Sequence, residues 1–551
     1  MALESKFGRS EVFYNYLCDL FRDIKRCCKD HYVLVVVFTL LVGTFIRLMP
    51  LLLLGFPHEI PYNGGGLYYA FSTMIIENNF HYPIDIPYYS SSGVPFAYNP
   101  LVFYFVAFIA ACADISPFVL HIYLPTLFSI ASVILYFVLA NDLFENKYIV
   151  IISTFFYCIL PQAFSELTPG EGLVESFGTM LFLLGAIALF RTYNRNKHKY
   201  RILSGILFGI IILGSPGGAL AFAITLVIVA LFKEDIKSAI KTILLVSIIG
   251  AIVSAPWWIT VTYYHGFGTI INGILVKNVG IAGYLMKLLG FNTNCGWLFG
   301  AALVILGFIY CLMLRKWLLP VWFILVFLAG EIGYIVPIVA SFLMAIGLLK
   351  VILPSLTFIE SSKWRCNLFT NIFVILICIH GAGTALYYNA EFRQVSTPIS
   401  YTELRDVEVD CFSAASWAKE NSNEDSRFFV VGDQDLWWVG DWLPVLIGKP
   451  VINVGYGSEW NGNISTIFVM RGAIIEQLEK GNISSSKKTA IDYGTYFTHL
   501  FIVKSDNREA LITILRINNS TKSVYENAGT IIFEIVPEPL VKEGSNPFLR
   551  D

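Results

Sequence analysis

The 551 residues are 56% hydrophobic and 14% charged, with a mean hydropathy of +0.65, whereas a soluble chain carries about 25% charged residues, so lipid must solvate much of this one. A formal net charge of −2 gives no bulk field to draw nucleic acid or an acidic surface, so no nucleic-acid partner is expected. The ten cysteines form no CxxC pair and no Cys/His cluster at zinc spacing, which argues against a structural metal site.

Residues 1–31 carry Lys6, Arg9, Arg22, Lys25, Arg26 and Lys29 and lack the short apolar core and cleavage site of a signal peptide. A hydrocarbon core of ~30 Å needs about 20 apolar residues in a helix. Stretches that meet or approach this run 33–54, 117–140, 148–162, 173–190, 202–216, 218–232, 241–259, 295–314, 317–332, 334–353 and 367–387. A further apolar stretch, 101–113, is short and follows Asn99-Pro100. Treated as re-entrant or interfacial, it leaves Lys147, the 191–201 cluster, Lys233/Lys237/Lys241, Arg315/Lys316 and Lys363/Arg365 in cytoplasmic loops, while 56–97 and 162–172 hold no Lys or Arg. Treated as a span, it would flip the basic 191–201 loop outside, so the first reading is preferred.

The expected fold is therefore a polytopic α-helical membrane protein of about eleven spans plus one re-entrant or interfacial helix. The N-terminus is cytoplasmic, residues 1–387 form the transmembrane domain with a long first outer loop at 56–97, and residues 388–551 form an extracytoplasmic α/β domain. In that domain, helices are predicted at 413–420, 466–480 and 507–516, and strands at 426–432 and 499–503. A hairpin of 523–526 with 530–535 is expected around Asn527-Ala-Gly529. The sequons at Asn463, Asn482 and Asn519 agree with an outside location.

Three clusters fall on the expected outer side. The first loop holds His58, Glu59 and Asn63, then three glycines, Tyr68, Tyr69 and Asp85; its length, far above the usual two to six residues, points to function or to packing on the leaflet. The glycines allow close approach of backbone to a phosphate or sugar. The second cluster is Glu166, Glu171 and Glu175 between two spans, carboxylates that can orient an acceptor hydroxyl or favour the next helix N-terminus. The third is Trp257, Trp258 and His265 at a span end, where aromatic belts also occur. Arg47, near the outer end of the first span, either snorkels to the interface or pairs with a lipid phosphate.

The long first loop 56–97, the acidic run Glu166–Glu175 and the outer domain 388–551 together form an arrangement that resembles the GT-C superfamily of integral membrane glycosyltransferases, which take sugar from polyprenyl-phosphate carriers on the outer face. A closer likeness is to prokaryotic GT-C-like membrane proteins labelled 6-pyruvoyl-tetrahydropterin synthase-related. Their first loop reads like Asn-Asp-Gly-Gly-Leu-Phe-Tyr, then Pro-Phe-Ala-Tyr-Pro-Pro-Leu; this chain has Asn63-Gly-Gly-Gly-Leu-Tyr-Tyr69 and Pro95-Phe-Ala-Tyr-Asn-Pro-Leu101. Trp257-Trp258 with His265-Gly266, the run Trp437–Trp442 and the run Gly455–Trp460 are also similar, so the likeness extends from about residue 33 to 536. The chain departs at Gly64, where that family's loop carries Asp.

The resemblance implies transfer of a sugar from a polyprenyl-phosphate-linked donor to a lipid, glycan or protein acceptor on the extracytoplasmic face. Glu59 would be the base with Asp85 in reserve, and Glu171 and Glu175 would orient the acceptor or a divalent cation (Mg or Mn), on whose need superfamily members differ. Arg47 and His265 would contact phosphate, while His58, Asn63, Tyr68, Tyr69, Trp257 and Trp258 would bind substrate. Two alternatives stay open: a catalytically inactive protein that binds lipid-linked sugar, and a transporter or flippase. The absence of midplane charge and of internal repeats speaks against the last.

Overall fold

The computed structural model describes residues 31–53, 65–167, 172–194, 197–275, 298–329, 334–355, 376, 379–384, 401–432 and 437–536. Among them, six helices are long and apolar enough to cross a membrane, Tyr32–Leu52, Pro117–Leu143, Gly172–Tyr193, Pro216–Lys233, Ile236–His265 and Val336–Ser355. Four shorter apolar helices accompany them, Leu101–Ala113, Lys147–Ile159, Gly300–Met313 and Leu318–Leu328. The protein is a helical membrane protein. The last expected span, 367–387, lies largely outside the described residues.

In chain order the helical part is α1 (His31–Leu53), α2 (Gly66–Glu77), α3 (Leu101–Ala113), α4 (Pro117–Leu143), α5 (Lys147–Ile159), α6 (Gly172–Asn194), α7 (Lys197–Gly214), α8 (Pro216–Lys233), α9 (Ile236–His265) and α10 (Phe267–Leu275). Short polar caps make the turns between them. Ser116 accepts from Phe118 N at 3.3 Å, Asn146 from Tyr148 N at 2.9 Å, Ser215 from Gly218 N at 3.2 Å and Asp235 from Ser238 N at 3.3 Å. Pro117 and Pro216 take the first helical position, where a missing N–H costs nothing. α6 packs between α4 and α7, and α7 against α9.

Two charged residues differ from the sequence reading. Arg191, counted above with the loop charges, is fully buried in α6, and its Nε donates to Asp142 Oδ2 on α4 at 2.6 Å. Arg47 neither snorkels nor faces lipid. It is buried, with Nε on Ser129 Oγ at 3.0 Å and Nη1 on the Gly43 and Cys158 carbonyls at 3.3 and 3.2 Å. The Tyr157 ring lies 5.4 Å from the guanidinium carbon. Arg47 thus satisfies the carbonyls that end α5, a cap made by a cation at the negative end of a helix.

From residue 401 the chain forms α14 (Tyr401–Asn421), β3 (Phe428–Val431), α15 (Trp437–Ile447), α16 (Ile464–Glu479), α17 (Ile483–Asp492), β4 (His499–Val503), α18 (Glu509–Ile517), β5 (Thr521–Glu526) and β6 (Thr530–Ile535), following α11 (Leu298–Met313), α12 (Leu318–Leu328) and α13 (Val336–Ile346). The sheet order is β3-β4-β6-β5, with β3 parallel to β4 and the other pairs antiparallel. Alternation assigns its two faces. Phe428, Val430, Phe501, Val503 and Ile532 join the core continuous with the helical bundle, while Phe429, Val431, Leu500, Ile502, Ile531 and Phe533 pack with α16 and α18. The hairpin turn is held by Asn527 Oδ1, which accepts from Thr530 N at 2.7 Å. Sequence periodicity missed α15 and α17, and α14 begins well before the expected 413.

The first loop is docked on this α/β layer. After α2 it makes β1 (Asp85–Ile86) and β2 (Val94–Pro95), and Val451 N donates to Tyr88 O at 2.9 Å. Arg427 Nη1 donates to Ser91 O at 2.8 Å, and the buried Tyr89 hydroxyl donates to Asp441 O at 2.7 Å. At Gly66 the close approach anticipated for the glycines is made to the protein's own backbone. A Cβ on Gly66 would collide with the Asp441 carbonyl, and Gly65 has φ +126°, which favours glycine.

Candidate functional site

A cavity of about 760 Å³ opens where α6, α8 and α9 meet the first loop and the α/β layer. The bundle contributes Glu175 from the first turn of α6 and Trp257 from α9, and the first loop contributes Tyr68, Tyr98 and Asn99. The layer contributes Asp441, Glu459, Trp460 and Arg471. No one segment could make this site; it exists because the loop is clamped between bundle and sheet.

Three features fix its walls. The Tyr68 and Tyr98 hydroxyls are 3.1 Å apart, and the Tyr98 ring packs edge-on to Trp460 at 5.6 Å between centroids. Trp257 Nε1 donates to Ala97 O at 3.2 Å, and Asn99 Nδ2 donates to Ile212 O, so the loop is tied to α9 and α7. Burial raises the Tyr98 pKa well above the ordinary value, and the negative fields of Glu175 and Glu459 raise it further against the opposing Tyr68 hydrogen bond. Tyr98 therefore stays protonated.

Asp441 is almost wholly buried, at 1% exposure. Its Oδ2 accepts from Gly65 N at 2.5 Å and Gly66 N at 2.8 Å, and its Oδ1 from Leu67 N at 3.1 Å. Such bonds to the first turn of α2 favour the carboxylate, but burial wins and moves its pKa from 3.8 up to about 6. Asp441 is an anchor for the loop rather than an open acid.

The other sequence candidates distribute as follows. Glu59, His58, Asn63 and Glu171 lie outside the described residues, as does Gly64. Glu175, Tyr68 and Trp257 meet in the cavity. Tyr69 does not line it; its ring packs on Trp442 and Phe118 at centroid distances of 5.7 and 6.2 Å. Asp85 is exposed on β1 and away from the lining. Trp258 is 38% exposed, with Nε1 on Ala251 O at 3.1 Å. His265 is also outside the lining, and its Nε2 lies 3.0 Å from Ile84 O, which joins the end of α9 to the first loop. Arg47 is enclosed between α1, α4 and α5.

Sequence reading passed over Glu459, Asp441 and Arg471 as functional groups. Glu459 and Asp441 lie inside the two aromatic runs noted above, and that setting was the available signal. Arg471 betrays itself as a cation at i+7 from Ile464 and i+3 from Phe468, on a face otherwise apolar.

A divalent cation needs several converging oxygen ligands. No group of three or more His, Cys, Asp or Glu converges among the described residues, and both Asp441 oxygens are committed to backbone N–H groups. The described lining does not fit a cation on its own.

No protein-family model and no curated protein matches the sequence. In fold the chain is similar to archaeal oligosaccharyltransferase AglB from Archaeoglobus fulgidus, solved with an inhibitory peptide and a dolichol-phosphate, with a TM-score of 0.60 at 14% identity over 87% of this chain and 70% of that one. Another structure of the Archaeoglobus fulgidus oligosaccharyltransferase, in complex with Zn and sulfate, has a TM-score of 0.56 at 16% identity over 91% of this chain and 74% of that one. ArnT from Cupriavidus metallidurans bound to undecaprenyl phosphate gives 0.54 at 12% identity over 91% and 97%. At these identities the likeness is one of fold alone.

Proposed function

We propose that this chain is a membrane glycosyltransferase that moves a sugar from a polyprenyl-phosphate-linked donor to an acceptor on the extracytoplasmic face. The observation that carries the reading is a cavity between bundle and α/β layer that is lined by Glu175, Glu459 and the Tyr68–Tyr98 hydroxyl pair. The bound lipids named for AglB and ArnT support a polyprenyl-phosphate donor.

In this mechanism the acceptor O–H enters between the two carboxylates. Glu175 takes its proton as the acceptor oxygen bonds to the sugar C1, and the bond from C1 to the phosphate oxygen breaks with its electron pair. Polyprenyl phosphate is a good leaving group, so positioning and charge stabilisation suffice. Trp257, Trp460 and the tyrosines give flat apolar walls for the sugar. Glu59, the base expected from the sequence, and Glu171 remain candidates for the same work. Asp85 is the weakest of the four. On this reading residues 388–551 form the extracytoplasmic domain and residues 1–387 the transmembrane domain.

The test is mass spectrometry of lipids that copurify with the full chain. A polyprenyl-phosphate sugar supports the reading, and its absence under conditions that retain other lipids contradicts it. Gly64, standing where the resembled family has Asp, favours one second reading, a protein that binds the lipid-linked sugar without transfer. Release of polyprenyl phosphate on addition of that lipid separates the two.

A further inference from the structure

Helix α16 turns Ile464, Phe468 and Arg471 to the cavity, the spacing of one helical face. Arg471 is the one basic side chain among the described lining residues, and no described carboxylate pairs with it. Its charged neighbour is another cation, Arg508, which lowers the Arg471 pKa further than burial alone does. Arg508 is engaged elsewhere, with Nη1 on Glu479 Oε1 at 3.0 Å and Nη2 on Gly432 O at 3.5 Å. A half-buried guanidinium beside a like charge is costly until a counter-ion arrives. Its fork geometry suits carboxylate or phosphate.

Position decides which ligand brings that anion. Arg471 is seven residues beyond Ile464, so it lies ~10 Å further along the helix axis. Its neighbour Arg508 donates to Gly432 O at the end of β3, which puts Arg471 beside the sheet part of the lining, whereas Glu175 and Trp257 come from the bundle. A phosphate tethered to a polyprenyl chain is held at the bundle side by its own tail.

We propose that the acceptor is a sugar bearing a carboxylate or phosphate, whose anionic group is held by Arg471 while its hydroxyl faces Glu175 and Glu459. This rests on the glycosyl-transfer reading and extends it to acceptor specificity. Arg471 is a specificity residue here, remote from the reacting atoms.

The test is equilibrium binding to the full chain in nanodiscs, with glucuronate, glucose 6-phosphate and glucose as sugar probes and farnesyl phosphate and farnesol as lipid probes. A hydrogen-bonded charge pair contributes ~1.5–3 kcal/mol, so the wild type binds the anionic sugars at least ~10-fold more tightly than glucose. Arg471→Gln removes that preference and Arg471→Lys retains part of it, while the preference for farnesyl phosphate over farnesol is unchanged in both. The inference is overturned if the wild type shows no anionic preference, or if Arg471→Gln keeps it. It is equally overturned if Arg471→Gln loses the farnesyl phosphate preference, which would make Arg471 the donor contact. A wild type that does not distinguish farnesyl phosphate from farnesol instead defeats the glycosyl-transfer reading itself.

Discussion

Replacing Asp441 tests whether the α/β layer holds the first loop in place. In Asp441→Ala the Gly65, Gly66 and Leu67 N–H groups lose their acceptors. Each buried orphan costs about 1–3 kcal/mol, or ~3–9 in all. Against this, the mutant sheds a buried charge, because a carboxyl pKa moved from 3.8 to about 6 means that the ionised form is disfavoured by ~3 kcal/mol. The middle of the resulting range is a net loss of ~3 kcal/mol, or ~100-fold faster hydrogen exchange of the segment around α2. Asp441→Asn sheds the same charge and keeps an acceptor for the two glycines, so it stays within ~1 kcal/mol of wild type. The folded carboxyl titrates above its unfolded value, so its stabilisation is fully present below pH 3.8 and is lost as pH rises through about 6. Exchange around α2, corrected for its intrinsic pH dependence, should therefore quicken between pH 4 and 7 in wild type and stay flat in Asp441→Asn. Equal exchange in the Ala and Asn variants, or protection that grows with pH, would refute the reasoning.

The buried Arg191–Asp142 pair makes a second test. Removing one partner, as in Asp142→Leu, should cost ~3–5 kcal/mol in reversible unfolding, while Asp142→Leu with Arg191→Met recovers most of it; additive losses would mean that the pair is not coupled. Tyr98→Phe deletes the hydroxyl that pairs with Tyr68 in the cavity wall and should slow transfer ~10-fold at a stability cost of about 1 kcal/mol. An unchanged rate would remove Tyr98 from the site.

Six of the spans were legible because lipid demands long apolar runs, and the strands β3, β4 and β6 because both their faces are largely covered. Phe428–Val431 reads as an unbroken apolar run for that reason. The helix α15 was not legible, since Trp437–Ile447 mixes Gly440, Asp441 and Pro444 into an apolar stretch and is folded by its contact with α2. Within the site, Glu175 could be chosen from sequence because it belongs to a short acidic run at a span boundary. Glu459 and Asp441 could not be ranked against other acids, because what distinguishes them is a loop more than 300 residues away in the chain. Arg47 shows the reverse error. A lone cation near a span end looks like a lipid contact, yet the carbonyls of α5 claim it.

The central claim is that glycosyl transfer occurs between the carboxylates of this cavity. Polyprenyl-phosphate sugars extracted from the source membranes, given to the purified chain in nanodiscs with an acceptor extract, provide the most direct measurement through the rate of polyprenyl phosphate release. Wild type should release polyprenyl phosphate, and folded Glu175→Gln should lose ~100-fold or more of that rate. Wild-type rates in that variant, or no release above the protein-free control, would contradict it.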